Sequence, residues 1–249
     1  MKRLRNAAKT ALARRGYVRA QQPEAADIEP EFHAAYERCH PYSMAGMERS
    51  YALWTAVRYV VDRGVPGDFV ECGVWRGGSS MVAALALLSR GERDRGLHLF
   101  DTFEGMAPPT ERDVSVFGER AEAIWAEQQR DGRNDWCLAD QDDVNRNMGT
   151  TGYPPERIHL VPGRVEETIP GSAPETISVL RLDTDWYEST AHELRHLYPR
   201  LSPGGVLIVD DYGHWEGARQ AVDEYFGDGG PPILLNRIDY SARIGVKTA

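Results

Sequence analysis

The chain has 249 residues, 41% of them apolar and 27% charged, and a formal net charge of −9. That is enough chain to bury one sizeable α/β core, and no apolar run comes near the ~20 residues that a membrane-spanning helix needs. Cys39, Cys72 and Cys137 are widely spaced with no CxxC pair, which argues against a disulfide framework and against a zinc site.

Residues 1–20 carry Lys2, Arg3, Arg5, Lys9, Arg14, Arg15 and Arg19 and no acid, so this arm stands at +7 and the rest of the chain at −16. An acidic body argues against broad binding to nucleic-acid phosphates, although the basic arm could touch nucleic acid or an anionic surface. The arm reads as a helix with Leu4, Ala8, Ala11 and Leu12 on one face, expected to pack on the acidic body or on a partner subunit. It lacks the apolar stretch and cleavage site of a secretory signal, and the expected compartment is the cytoplasm. "QQPEAADIEPEF" follows as a linker. "MERSYALWTAVRYVVDRG" then sets Leu53, Trp54, Val57, Val60 and Val61 at helical spacing, with Gly64 to close the helix.

Beyond Pro66 the period changes. "DFVECGV" (68–74) reads as a strand, "SSMVAALALLSRG" (79–91) as a helix and "GLHLFD" (96–101) as a second strand. Residues 102–156 are too long for a simple connection; they carry a Pro-Pro loop and helical stretches such as "ERAEAIWAEQQRDG", and read as a lid or acceptor pocket. "RIHLVPG" (157–163) and "ISVLRLD" (177–183) are the third and fourth strands. "TAHELRHLYPRL" is a helix, "GGVLIVDD" (204–211) a fifth strand, "GARQAVDEYFG" a helix, and "ILLNRIDYSARIGVKT" a closing hairpin. Strands alternating with amphipathic helices predict a mainly parallel α/β sheet covered on both faces, with its ligand beyond the carboxyl ends of the strands.

Two features mark that end of the sheet. The first is the turn "VECGVWRGGSS", where Glu71, Gly73, Gly77 and Gly78 surround a strand-to-helix junction. Its spacing is not the G-x-G-x-x-G of a dinucleotide site, which disfavours a nicotinamide dehydrogenase. A carboxylate here suits a cation-bearing ligand better than a pyrophosphate, and Asp101 ends the second strand where a carboxylate can accept ribose hydroxyls. S-adenosylmethionine fits both demands.

The second is a pair of acidic strand ends, Asp183 with Asp185 and Asp210 with Asp211. Carboxylates that repel one another need a positive charge between them, and oxygen donors without His or Cys suit a hard cation such as Mg²⁺ or Ca²⁺.

"VPGDFVECGVWRGGSSM", "LFDTFEGMAPPT", "RLDTDWYEST" and "LSPGGVLIVDDYGHWEGARQAVDEYF", in that order, resemble the macrocin O-methyltransferase family over about residues 42–225. The resemblance implies a class I methyltransferase (Rossmann-like) fold, a mainly parallel seven-stranded sheet with a C-terminal antiparallel hairpin. It implies S-adenosylmethionine and Mg²⁺ as cofactors, and methylation of a sugar hydroxyl on a glycosylated secondary metabolite. Residues 1–64 would form a helical arm and acceptor-side segment, and 65–249 the methyltransferase domain with 102–156 as its lid. By position, Glu71, Gly73, Gly77 and Ser79 would line the methionine end, Asp101 the ribose and Gly163 the adenine side. Asp183, Asp210 and Asp211 would hold the metal, with Asp183 also beside the cofactor. Asp185 would take the proton of the hydroxyl that the metal acidifies. Family members assemble through their N-terminal segments, which implies a homodimer or larger.

Other readings are set beside this one. His214 is a rival base, whereas His192 and His196 read as a solvated helix face. Trp186 and Tyr187 read equally as ring platforms and as core. "DQDDVNRN" reads as a helix start whose dipole favours acids. A phenol or catechol acceptor would use the same metal chemistry. A nucleotide-sugar acceptor would need basic groups such as Arg112, Arg120 and Arg133. A non-catalytic binding module would have no use for the aspartates.

Overall fold

The computed structural model describes residues 27–227 and 229–248; the predicted basic helix of residues 1–20 lies outside them. Its contacts divide the chain into Met1–Ala34 and Ala35–Ala249. Helix α1 (Pro30–Cys39) starts inside the stretch read from sequence as linker, with Pro30 at its first position, where the missing N–H costs nothing. The sheet and the candidate site lie in the second unit.

The strands are β1 (Asp68–Cys72), β2 (Leu97–Asp101), a two-residue hairpin of β3 (Gln129–Arg130) and β4 (Arg133–Asn134), β5 (Ile158–Pro162), β6 (Ile177–Leu182), β7 (Leu201–Val209), β8 (Asn236–Arg237) and β9 (Arg243–Val246). Seven of them form one sheet in the order β5-β2-β1-β6-β7-β9-β8, parallel except where β9 pairs with β7 and β8. The order reverses at β1, so the chain leaves β1 and β6 on opposite sides and opens a crevice between their carboxyl ends. β6 is buried at every position, as expected of a central parallel strand covered on both faces.

One face packs Val70, Cys72, Leu180, Leu182, Leu207 and Val209 against Leu194 and Leu197 of α7 (Tyr187–Leu197) and Val222 of α8 (Glu216–Phe226). Each such aliphatic side chain stabilises the fold by about 1.5–3 kcal/mol on burial. Helices α2 (Met47–Asp62) and α3 (Gly78–Ser89) pack on each other over the opposite face. That is the face onto which the alternation of β1 and β6 projects Glu71 and Arg181, which are register partners across the two strands.

The long insertion contains α4 (Ala121–Glu127), the β3–β4 hairpin and α5 (Gln141–Gly149). The helix read through "ERAEAIWAEQQRDG" stops at Glu127, because Asp131 and Gly132 both take positive φ (48° and 84°) and turn the chain back as a hairpin. Asp140 caps α5 by accepting the Asp143 amide at 2.8 Å, so the acidic run does open a helix. The insertion is fastened over the sheet end: Trp186 Nε1 donates to the Ala107 carbonyl, and the Val116 amide to the His214 carbonyl. Trp136, Trp186 and Trp215 meet edge-to-face with centroids 5.0–6.2 Å apart. Among the described residues no helix is long and apolar enough to cross a membrane.

Candidate active site

The crevice holds two adjoining cavities that share Asp183. The first, about 460 Å³, is lined by Gly73, Asp101, Gly163, Asp183, Thr184 and Trp186, among others. The second, about 870 Å³, is lined by Gly78, Ser79, Arg49, Arg181, Asp183, Asp185, Asp210, Asp211, His214 and part of the segment Tyr42–Ala45.

The floor of the first cavity depends on close backbone approach. Gly73 sits at φ +83°, and a Cβ there would lie 2.0 Å from the Asp183 carbonyl, so β1 and β6 could not both reach the crevice with a side chain in that place. Asp101 fixes the turns on either side. Its Oδ2 accepts the amides of Val74 (2.7 Å) and Trp75 (3.0 Å), and its Oδ1 accepts that of Phe103 (2.8 Å). The hydroxyl of Thr102 approaches Oδ1 only at 3.4 Å, which leaves this atom one lone pair for a ligand hydroxyl. Burial pushes the Asp101 carboxyl up against the pull of those amides.

Two of the residues read from sequence as cofactor contacts line neither cavity. Glu71 is 1% exposed, with Oε1 on Arg181 Nη1 at 2.6 Å and Oε2 accepting from the Ser80 hydroxyl. Gly77 faces Val144 and Met148 of α5. In the structure Glu71 holds Arg181, and Gly77 takes the positive φ of the turn (88°).

Arg181 is the residue that sequence reasoning passed over. It is 3% exposed in the middle of the sheet and spans three carboxylates: Glu71 at 2.6 Å and Asp183 at 2.7 Å from Nη1, and Asp210 at 2.6 Å from Nη2. Its signal was available as the one charge inside the apolar run "ISVLRL". Asp210 receives a second guanidinium from Arg49 of α2, which also pairs with Asp239 at 3.1 Å. Burial alone would raise the Asp210 carboxyl, but the two arginines hold it below the usual carboxylate range.

The sequence grouped Asp210 with Asp183 and Asp211. In the structure Asp210 turns to the arginines, and Asp185 stands with the other two: carboxylate oxygens of Asp183, Asp185 and Asp211 all lie within 4.8 Å of one another. Three carboxylates so close cannot all stay ionised without a cation. Burial, then the neighbouring carboxylates, push Asp211 well up and Asp185 to about 7, with a hydrogen bond between these two offsetting part of the shift at Asp185. Burial raises Asp183 too, despite its Arg181 partner. Among the described residues, Asp211 Oδ2 is buried with no hydrogen-bond partner. Such an atom ordinarily costs about 1–3 kcal/mol, and a hard oxygen-seeking cation of the Mg²⁺ type fits the gap. Asp185 is held at φ +68°, and Trp75 and Cys137, which line the same cavity, also take positive φ (48° and 53°). Left-handed backbone at non-glycine residues collects where a site over-determines its geometry.

His214 lines the second cavity, 3.3 Å from the Tyr240 hydroxyl, and burial lowers its basicity. His192 bonds the Ile169 carbonyl and stacks near His196 on α7, in neither cavity. Arg112 and Arg120 are engaged with Tyr187 and Glu122, and Arg133 with Asp135.

With this geometry in place, residues 5–244 match the family described as Macrocin-O-methyltransferase (TylF). The chain belongs to that family. It is 36% identical over 198 residues to the 8-demethyl-8-(2,3-dimethoxy-alpha-L-rhamnosyl)-tetracenomycin-C 4'-O-methyltransferase of Streptomyces olivaceus, covering 80% of this chain and 72% of the relative. It is 36% identical over 185 residues to the mycinamicin III 3''-O-methyltransferase of Micromonospora griseorubida, covering 74% and 70%. Among solved structures, the O-methyltransferase NovP superposes with a TM-score of 0.73 at 31% identity, covering 84% of this chain and 83% of that one. The chain is therefore an O-methyltransferase with a class I methyltransferase fold, as its four sequence motifs implied.

Proposed function

We propose that this macrocin-family enzyme transfers the methyl group of S-adenosylmethionine to a sugar hydroxyl of a glycosylated small molecule, with Mg²⁺ bound at the carboxylate cluster. The observation that carries the reading is the triad of Asp183, Asp185 and Asp211 with its unpartnered oxygen, placed where the two cavities meet. The names of the relatives, which act on a rhamnosyl-tetracenomycin and on a mycinamicin, support the acceptor class.

The first cavity takes the adenosine. Asp101 Oδ1 receives a ribose hydroxyl, Gly163 and Val165 border the base, and Gly73 lets the chain pass close to the ligand. The methionine end runs past Asp183 toward Gly78 and Ser79 in the second cavity. Asp183 and Asp211 hold the cation, whose contribution when bound is to orient the acceptor oxygens and lower the pKa of the hydroxyl to be methylated. Asp185 accepts the hydroxyl proton. In the cation-free protein burial raises its carboxyl above the ordinary range, which makes it a stronger proton acceptor than an exposed aspartate. Alignment of the oxygen with the methyl group supplies the rest of the rate.

At the mouth of the second cavity stand exposed apolar side chains, Met44 at 61%, Phe117 at 73% and Tyr240 at 50%. Phe117 and Tyr240 flank His214, with ring centroids 6.0 and 5.9 Å away. This rim suits the apolar body of a glycoside. The two guanidiniums that line this cavity are committed, Arg49 to Asp210 and Asp239 and Arg181 to Glu71, Asp183 and Asp210, so a nucleotide pyrophosphate would find no ready partner in them.

Calorimetric titration of S-adenosylmethionine and S-adenosylhomocysteine, with and without MgCl₂, tests the reading on the wild type and Asp101→Ala. Micromolar binding that Asp101→Ala abolishes is the expected result. Absence of binding under both conditions would overturn it.

A further inference from the structure

We propose that Arg49 and a divalent cation compete for the Asp210 carboxylate, so that Arg49 is a positioning residue that covers this carboxylate beside the cluster until the ion binds. The inference rests on the metal reading above and goes beyond it to residues of the acceptor-side helix.

The two oxygens of Asp210 are not equivalent. Oδ1 is held at 2.6 Å by Arg181, whose guanidinium is 4% exposed and locked by Glu71 and Asp183. That contact has no freedom to open. Among the described residues Oδ2 is held by Arg49 alone, and Arg49 is different in kind: its side chain is 18% exposed, it lines the second cavity, and it reaches in from the first turn of α2 rather than from the sheet. Asp210 lines the same cavity and precedes Asp211 in the chain, so the oxygen that Arg49 covers stands beside the cluster of Asp183, Asp185 and Asp211 without being one of its mutually close oxygens.

Arg49 also has somewhere to go. Its Nε is 3.1 Å from Asp239 Oδ2, and Asp239 is itself fixed because its Oδ1 accepts the amides of Ser241 and Ala242. Leaving Asp210 therefore does not strand a guanidinium in a buried place; it transfers the charge wholly to Asp239. A guanidinium and a divalent cation on one carboxylate repel each other, so loading of the site and release of Asp210 by Arg49 favour one another. The arrangement relieves carboxylate repulsion in the empty cleft at a cost in cation affinity.

The test is Mn²⁺ binding to the full chain at one pH, read from the free-ion electron paramagnetic resonance signal, for the wild type, Arg49→Met, Asp210→Asn and the double variant. Competition for Asp210 predicts that Arg49→Met binds Mn²⁺ about tenfold tighter, the scale of one partly buried ion pair. It further predicts that the gain shrinks to less than about twofold when Asp210 is already Asn. A gain that persists in the Asp210→Asn background would mean simple repulsion through space and overturn the proposal, as would an unchanged or weaker affinity in Arg49→Met. Arg49→Gln, which keeps a polar side chain beside Asp239, serves if the methionine variant fails to fold. Absence of Mn²⁺ binding in all four proteins would overturn the metal reading itself, an outcome distinct from Mn²⁺ binding that ignores Arg49.

Discussion

Replacing Arg181 by methionine should be among the most damaging single changes in the sheet. Arg181 neutralises Glu71, Asp183 and Asp210 at 2.6–2.7 Å, and it is itself 3% exposed. Methionine keeps the length of the side chain and removes the charge, leaving Glu71 fully enclosed and Asp210 with Arg49 alone. Breaking a buried ion pair in this one-sided way costs about 3–5 kcal/mol. A value of about 4 kcal/mol would take roughly a third or more of a typical folding free energy and lower the melting temperature by roughly 8–16 °C. The effect should depend on pH with a definite sign. Burial raises the Glu71 and Asp183 carboxyls even with the arginine present, so acid protonates them first and reduces the cost of its loss. Urea unfolding of the wild type and Arg181→Met at pH 7.5 and pH 5 measures this directly. A loss below about 1 kcal/mol, or a loss that grows as pH falls, would refute the account of Arg181 as the neutralising centre.

Other consequences follow from the same geometry. With the Asp185 carboxyl raised to about 7 from an ordinary 3.8, its contribution to the stability of the cation-free protein is complete below pH ~4 and is lost as pH rises through 7, by up to about 4 kcal/mol. Saturating Mg²⁺ should flatten that decline, and Mn²⁺ affinity should rise between pH 6 and pH 8; a pH-independent affinity would count against the carboxylate site. Gly73→Ala forces a Cβ to 2.0 Å from the Asp183 carbonyl at φ +83°, and thermal unfolding should show a loss of about 3 kcal/mol or more together with loss of S-adenosylmethionine binding. Phe117→Ala should leave the melting temperature within a degree or so, since the ring is 73% exposed, yet raise KM for an acceptor with an apolar aglycone by roughly tenfold with kcat little changed. An equal effect on a free-sugar acceptor would refute the rim assignment.

The sheet was legible because its information is local and periodic. Five parallel strands, four flanking helices and the closing hairpin all stand within a few residues of where apolar runs and Gly or Pro breaks placed them. The failures have physical causes. In "QQRDGR" the helical pattern ran on past a point where Asp131-Gly132 offered a two-residue turn, and the turn decided. The chain assignment of carboxylates was legible as proximity but not as orientation: adjacent residues at a strand end point different ways, so Asp210 and Asp211, one residue apart, meet different partners. Arg49 was out of reach of any local reading, because it lies 161 residues from Asp210 and only the packing of α2 over the sheet brings them together.

Paired aspartates at two strand ends therefore require two different neutralisers. Glu71 lies on the helix-covered side at 1% exposure, and there the sheet supplies Arg181, which also holds one oxygen of Asp210. Asp185 and Asp211 line the second cavity, and among the described residues neither carboxylate pairs with an arginine or lysine, although Arg49 and Arg181 line the same cavity. Asp183 bridges the two sets, with one oxygen on Arg181 and the group exposed to both cavities. If the cleft-side carboxylates were merely structural, an arginine in their midst would serve them as Arg181 serves the others. The absence of such a pair among the described residues, set beside a buried oxygen with no partner there, supports the proposed cation site.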